Sequence, residues 1–340
     1  MFSKQKQVSK IDEGAYGAVF SASDISTPSS FISTTLPATP ENTSHVSVTP
    51  TVAIKIERNK KAIVQTIPDK KSILLKSVDN AFDCEIRALK LLRGERQIVQ
   101  FMETGQVSFP PLVYSFIVLE LLGPNLSTLQ KQCNSNLFSK STTAMMGRQM
   151  HAAIRAVHAA GLVHRDIKPA NFCISKSRDD DKTVIKLIDF GLCESFNKNT
   201  GRVRDTSLKF RGSVRYASIN AHMKRDLGRI DDLWSLFYSL LHFQTGTLPW
   251  KKKKEREIVH QLKAACLLDP SLLLCHADED AAACMQSFME ILMGTTQAQE
   301  PEYDLIDACI LSLVDDGCGG WEERVFDEVG EGVGRFDWEV

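Results

Sequence analysis

The chain has 340 residues, 43% hydrophobic and 24% charged, with a net charge of −1, which is enough for a sizeable core in one large domain or two lobes. Near-zero net charge argues against a general nucleic-acid binder. No run of ~18 apolar residues offers a membrane span, and the opening MFSKQKQ has no apolar stretch behind it to serve as a secretory signal.

Taken in chain order, the first element is VSKIDEGAYGAVF, residues 8–20. A strand-like start leads to Gly14, Gly17 and Val19. This is most of a phosphate-covering loop, G-x-G-x-x-G-x-V, with Asp12 where the first glycine would stand. By itself it fits a nucleotide loop or a plain turn between strands. Residues 23–50 are rich in Ser, Thr and Pro, with Asp24 and Glu41 as their charges. They read as a flexible insertion on the surface.

TVAIKIE, 51–57, alternates Val52, Ile54 and Ile56 with Ala53 and Lys55, the period of a half-buried strand. FDCEIRALKLL, 82–92, sets Phe82, Ile86, Leu89 and Leu92 at helical spacing, with Glu85 bordering the stripe. FIVLELLG, 116–123, reads as a buried strand ending at Gly123-Pro124. From about 127 onward the pattern is mainly helical. Met146, Met150, Ile154 and Val157 share one face of a helix over 142–160, with Gly161 as its stop. IKLIDFG, 185–191, is a strand leading to Asp189, and 231–243 is a core helix. Residues 255–300 carry helical patterning alone. A strand-rich first third and a helix-rich remainder predict an α+β chain of two lobes. The nine cysteines are dispersed without a C-x-x-C pair, which fits reduced intracellular thiols rather than a disulfide framework or zinc site.

Three segments carry chemistry: VHRDIKPAN (163–171), the IKLIDFG strand, and Lys55 with the helical Glu85. Each alone is weak. Lys55 and Glu85 could be a surface ion pair worth ~0–1 kcal/mol, and Asp166 and Asp189 could be cap or turn residues. Together they are specific, because Asp189 follows Asn171 by 18 residues and A-I-K and the helical glutamate precede both. A Rossmann-type dinucleotide site is excluded, since no G-x-G-x-x-G joins a strand to a helix and Val19-Phe20 continues as strand.

That order resembles the protein-kinase signature set. The resemblance implies ATP and Mg²⁺ as cofactors, because a transferring phosphoryl group spreads negative charge that cations must hold. Lys55 would pair with the α- and β-phosphates and Glu85 would hold its ammonium. Asp189 would bind Mg²⁺ with Asn171 as the second metal ligand. Asp166 would orient the substrate hydroxyl or accept its proton. Lys168 would meet the γ-phosphate, as in a Ser/Thr kinase, while His164 supports the loop backbone.

ELLGPNLSTL (120–129), HRDIKPANF (164–172) and FRGSVRYASINAH (210–222) resemble the casein kinase 1 superfamily, with Ser218-Ile219-Asn220 where most kinases have Ala-Pro-Glu. GRIDDLWSLFYSLLHFQTGTLPW (228–250), the Arg211-Gly212 step and RFDWE (335–339) are similar to its tau-tubulin kinase branch. The resemblance covers residues 8 to 339 and is weakest at 255–300. It implies a bilobal protein-kinase fold over 1–340: a small β-rich N-lobe with one long helix (1–119), a hinge (120–124) and a larger, mainly α-helical C-lobe (125–340), with ATP between the lobes.

Ile11, Gly14, Gly17 and Val19 would cover the nucleotide, Ala53 would line it, and Leu119 would be the gatekeeper. Glu120 to Leu122 would offer backbone to adenine, and Asp232 would pin the HRD backbone. An Asp12 carboxylate near phosphate costs on the order of 1 kcal/mol in water-like dielectric, which implies a modestly raised KM for ATP. Arg215 would contact an anion on acidic or phospho-primed protein substrates, cytoskeletal ones among them. Lys251–Lys254 reads equally as an extension of that basic patch, a solvated helix start or a nuclear signal. Thr206 and Ser207 leave activation by phosphorylation open. The protein is expected to be a monomer, cytoplasmic and also nuclear, with no nucleic-acid or membrane partner. The competing expectation, prompted by Asp12, is a catalytically weak, pseudokinase-like scaffold that binds protein partners.

Overall fold

The computed structural model describes residues 8–13, 17–22, 52–57, 81–109, 112–176, 183–203 and 210–314. Gly14, the 23–50 stretch, Thr206, Ser207, Cys318 and the RFDWE motif lie outside them. The described residues fall into two compact units, one holding the five strands up to Glu120, the other residues 81–100 and everything from Leu122 on.

The first unit is an antiparallel sheet. Its strands are β1 (Val8–Glu13), β2 (Gly17–Ala22), β3 (Val52–Glu57), β4 (Phe101–Phe109) and β5 (Leu112–Glu120), in the order β1-β2-β3-β5-β4. Asp12 falls within β1, just past a register shift between Lys10 and Asp12. β3 lies in the middle and places Lys55 across from Val19 on one side and Ile117 on the other. Its burial differs from simple alternation: Val52 and Ala53 are both buried, and Ile54 to Glu57 are half-buried. β5 ends at Glu120, earlier than the apolar run predicts. The backbone beyond it bonds elsewhere: Gly123 N–H donates to the Ile174 carbonyl at 2.9 Å, and Pro124 O accepts from Ile174 N–H at 3.1 Å.

The second unit is mainly helical. Its first helices are α1 (Ala81–Leu91), α2 (Leu126–Gln132) and α3 (Lys140–Ala159). Then come two short antiparallel pairs, β6 (Leu162–Val163) with β9 (Glu194–Ser195) and β7 (Phe172–Lys176) with β8 (Thr183–Leu187). The rest is α4 (Ile219–His222), α5 (Arg229–Thr245), α6 (Arg256–Leu268), α7 (Ser271–Leu274), α8 (Glu279–Gly294) and α9 (Tyr303–Leu311). The 255–300 pattern thus resolves into three helices. Side-chain caps start several of them: Asn125 accepts from Thr128 N–H, Ser139 from Thr142 N–H and Asp278 from Ala281 N–H. Each such cap contributes ~1 kcal/mol.

α5 is the axis of this unit. Leu233, Leu236, Phe237, Leu240, Leu241 and Phe243 are all fully buried, as a helix apolar nearly all round must be. Phe237 meets Phe288 of α8 edge-on at 5.6 Å, and Tyr238 meets Trp250 at 5.2 Å. Burying each such ring contributes roughly 1.5–3 kcal/mol. The eight described cysteines are free thiols, and burial pushes Cys173 up to about 12 and Cys284 up to about 11, which keeps them protonated and unreactive. Among the described residues no helix is long and apolar enough to cross a membrane.

Two predictions follow from this packing. Gly201 has φ +67°, and a Cβ there would lie 1.7 Å from the Gln297 carbonyl oxygen. Gly201→Ala should therefore lower stability by roughly 1–3 kcal/mol, read as a reduced urea midpoint. Burial also holds His151, His222 and His242 down at about 4, against 6.5 for a free imidazole. A histidine kept neutral this way stabilises the fold above pH 6.5, and the contribution is lost as pH falls toward 4. The urea midpoint should thus drop between about pH 6.5 and 4.5, most of it before the carboxylates titrate.

Candidate active site

The expected site residues divide between the two units. The sheet carries Ile11 on β1, Gly17 and Val19 on β2, Ala53 and Lys55 on β3, and Leu119 and Glu120 at the end of β5. Ala53 pairs with Leu119 across the β3–β5 ladder. The helical unit carries Glu85, Leu122, Asp166, Lys168, Asn171, Asp189 and Arg215. Glu85, expected at the border of its helix stripe, is 2% exposed and so lies inside the apolar face.

The HRD segment is held in a tight knot. Arg165 has φ +68° and Asp189 φ +63°, left-handed conformations that cost of order 1–3 kcal/mol each outside glycine. Asp232, at the start of α5, offsets the first. Its Oδ2 accepts from His164 N–H at 2.7 Å and its Oδ1 from Arg165 N–H at 2.8 Å. Arg165 Nε donates to the Leu192 carbonyl at 2.6 Å. Burial pushes the Asp232 carboxyl up, but contacts with His158 and His164 outweigh it and hold the group below its usual range. His164 is fully buried, which pulls its pKa down against the neighbouring carboxylates. Asp166 N–H donates to its Nδ1 at 3.3 Å, so Nε2 carries the proton and donates to the Ile188 carbonyl at 3.3 Å. His164 is thus a backbone brace, as read from the sequence.

Asp166 stands at the end of this brace. Lys168 Nζ lies 2.6 Å from its Oδ2, and Asn171 Nδ2 donates to its carbonyl at 2.9 Å. Its Oδ1 is buried and accepts no hydrogen bond among the described residues. A buried carboxylate oxygen without a donor is costly and is well placed to receive one. Asn171 is 4% exposed; its amide nitrogen is committed to Asp166, so its amide oxygen is the atom left to meet a cation. That oxygen and the Asp189 carboxylate are hard donors of the kind Mg²⁺ takes alongside phosphate and water. Ile188 N–H donates to the Asn171 carbonyl at 2.9 Å and fixes the two segments to each other. Gly212, φ +87°, backs onto the knot: a Cβ there would lie 2.6 Å from the Arg165 carbonyl oxygen.

The family profile described as a protein kinase domain matches residues 46–310. The chain belongs to the protein kinase family. It is 32% identical over 339 residues to a probable serine/threonine-protein kinase of Dictyostelium discoideum, covering 98% of this chain and 56% of that one. It is 31% identical over 237 residues to the inactive tau-tubulin kinase ttbk-6 of Caenorhabditis elegans, covering 66% and 76%. It is 29% identical over 257 residues to casein kinase I homolog 2 of Schizosaccharomyces pombe, covering 75% and 55%. The chain therefore spans about half the length of two of these relatives. Within the kinases it falls in the casein kinase 1 superfamily, on the tau-tubulin kinase-like branch.

This kinase domain also contains two buried polar centres that sequence reasoning missed. Asp231, next to Asp232, accepts from Ser218 Oγ at 2.6 Å, Asn220 Nδ2 at 3.0 Å, Gly228 N–H at 2.7 Å and Gln297 Nε2 at 2.8 Å. It thereby fastens the Ser-Ile-Asn segment to α5. The capping spacing Gly228-x-x-Asp231 was the available signal. The second is Lys263 on α6, fully buried, whose pKa burial pulls well below the ordinary lysine value. It shares an otherwise apolar stripe with Val259 and Cys266, and a lysine in such a stripe was the clue. Arg215 lies on the turn before α4 and donates from Nη2 to the Lys251 carbonyl at 3.3 Å. Lys251–Lys254, read in part as a helix start, forms the turn before α6.

Asp232→Asn puts an amide N–H₂ against one of the two backbone N–H groups that the carboxylate now accepts from. It should cost roughly 1–3 kcal/mol and speed hydrogen exchange at the His164 and Arg165 amides relative to the amides within α5.

Proposed function

We propose that this protein is an active serine/threonine kinase that transfers the γ-phosphoryl group of ATP to Ser or Thr hydroxyls of proteins, favouring acidic or already phosphorylated sites. The observation that carries this is Asp166, braced on one oxygen by Lys168 and left with a buried, unpartnered acceptor on the other. A substrate hydroxyl would donate to that oxygen, which orients it for in-line attack and takes up its proton. Lys168, beside the same carboxylate, would supply positive charge to the transferring phosphoryl group. Mg²⁺, when bound through Asp189 and Asn171, supplies charge neutralisation at the phosphates. Lys55 would engage the α- and β-phosphates, with Glu85 orienting its ammonium.

Substrate preference is argued from Arg215 and its surroundings. Its contact with Lys251 brings it beside a turn on which Lys252, Lys253 and Lys254 are exposed, a local cation excess suited to acidic or phosphorylated peptides. The competing reading, a weakly catalytic scaffold, is favoured by Asp12 in place of a loop glycine and by similarity to a relative named inactive.

Phosphotransfer from labelled ATP to casein, measured with the full chain and with Asp166→Asn, separates the two. The active reading expects the variant to be about 10²–10⁴-fold slower. Equal, background-level transfer by both proteins would leave the scaffold reading standing.

A further inference from the structure

We propose that Lys263 is a positioning residue for substrate recognition: it fixes the backbone of Val214–Ala217 from beneath and so sets how Arg215 is presented to an anionic substrate. This rests on the kinase reading for the role of Arg215.

Val214–Tyr216 is a turn closed on the Ser213 carbonyl, which accepts from Tyr216 and Ala217 N–H at 3.0 and 2.9 Å. The Val214, Arg215 and Ala217 carbonyls are bonded instead by side chains of the helical unit's interior. Lys263 Nζ donates to the Ala217 carbonyl at 2.5 Å and the Val214 carbonyl at 3.2 Å. Trp250 Nε1 donates to the Arg215 carbonyl at 2.8 Å. Three carbonyls that bracket and include Arg215 are thus held by two buried side chains. The ammonium also sits over the rings of Tyr238 at 4.6 Å and Trp250 at 5.0 Å, where ring faces partly replace lost water. His222 Nε2 is 3.4 Å from Nζ and 3.2 Å from the Val214 carbonyl.

Putting a lysine at a fully buried core position is expensive. A lysine kept merely for packing would be replaceable by methionine with a similar effect on every property of the protein. The geometry argues for more. Its carbonyl bonds fall on both sides of Arg215, and the same turn directs the Arg215 side chain to the Lys251 carbonyl. Loss of the Nζ donors should free the Arg215 backbone and blur the anion preference.

The test is equilibrium binding, which does not require turnover. A fluorescein-labelled peptide carrying phosphoserine and aspartates is titrated with the full chain by anisotropy, beside the same peptide with serine and glutamine at those positions. Wild type, Lys263→Met, Arg215→Ala and the double variant are compared. The proposal expects Lys263→Met to weaken the acidic peptide about tenfold, the scale of one hydrogen bond to a charge, and the neutral peptide by less than about twofold. The double variant should bind no more weakly than Arg215→Ala alone, because coupled residues do not add. Trp250→Phe, which keeps a ring but removes the donor to Arg215, should show the same selective loss and serves if Lys263→Met fails to fold. Equal weakening of both peptides, additive losses in the double variant, no loss at all, or a wild type that does not distinguish the peptides would each overturn the proposal. A wild type that shows selective binding but transfers no phosphate would overturn the kinase reading alone.

Discussion

The Asp232 carboxylate is the constraint on which the site depends. Two backbone N–H groups, those of His164 and Arg165, point at its two oxygens, and Arg165 is held in a left-handed conformation that it would not keep by itself. The carboxylate is fixed in turn from behind. His158 Nε2 lies 3.1 Å from Oδ2, and Tyr303 Oη lies 2.8 Å from His158 Nδ1. α9, α3, α5 and the HRD loop are therefore joined by one buried chain of polar contacts. Strain at the loop is carried by contacts from three helices. Asp166 gets its orientation at the end of that chain, which explains why its free oxygen can remain buried without a partner.

The neighbouring Asp231 shows how much environment decides. Both carboxylates are fully buried and both accept several hydrogen bonds. Burial leaves Asp231 above its usual range, because its donors, Ser218, Asn220, Gln297 and a backbone amide, are all neutral. Asp232 falls below it because imidazoles face it. Neutral donors soften the cost of desolvation, whereas neighbours able to carry positive charge reverse it. Adjacent positions on one helix thus do different work. One fastens the Ser-Ile-Asn segment and the α8–α9 connection, the other holds the HRD turn.

The same logic runs through the turn that carries Arg215. Irregular backbone can enter a protein interior only if its polar groups find partners. Here the partners are an indole and a lysine, reached from the connection after α5 and from α6. This backbone is stiffened by side chains that are themselves buried. His222 and Tyr216 belong to the same packing: Tyr216 Oη lies 3.0 Å from His242 Nδ1, and His222 stacks with His260 at 6.1 Å.

Much of this protein is legible in its sequence. The α5 and α3 helices follow from apolar spacing, and the kinase signature follows from residue types at fixed local spacing: Asp166, Lys168 and Asn171 lie within one short loop, and Asp189 lies two residues past the end of β8. Such features are local, so the chain displays them directly. The limits of β5, the burial of Glu85 and the division of 255–300 into three helices were less legible, because they depend on which backbone groups a distant segment claims, as Ile174 claims Gly123. What Asp231 and Lys263 bond to, and the His158–Tyr303 brace, could be found only in the folded molecule. Some of those partners lie far away in sequence, Gln297 66 residues from Asp231 and Ala217 46 from Lys263. The sequence by itself determined the kinase family and the residues that make up its signature. Only the tertiary structure decided what holds them in place, since a buried polar residue takes its meaning from the groups that replace its water, and no local pattern names those groups.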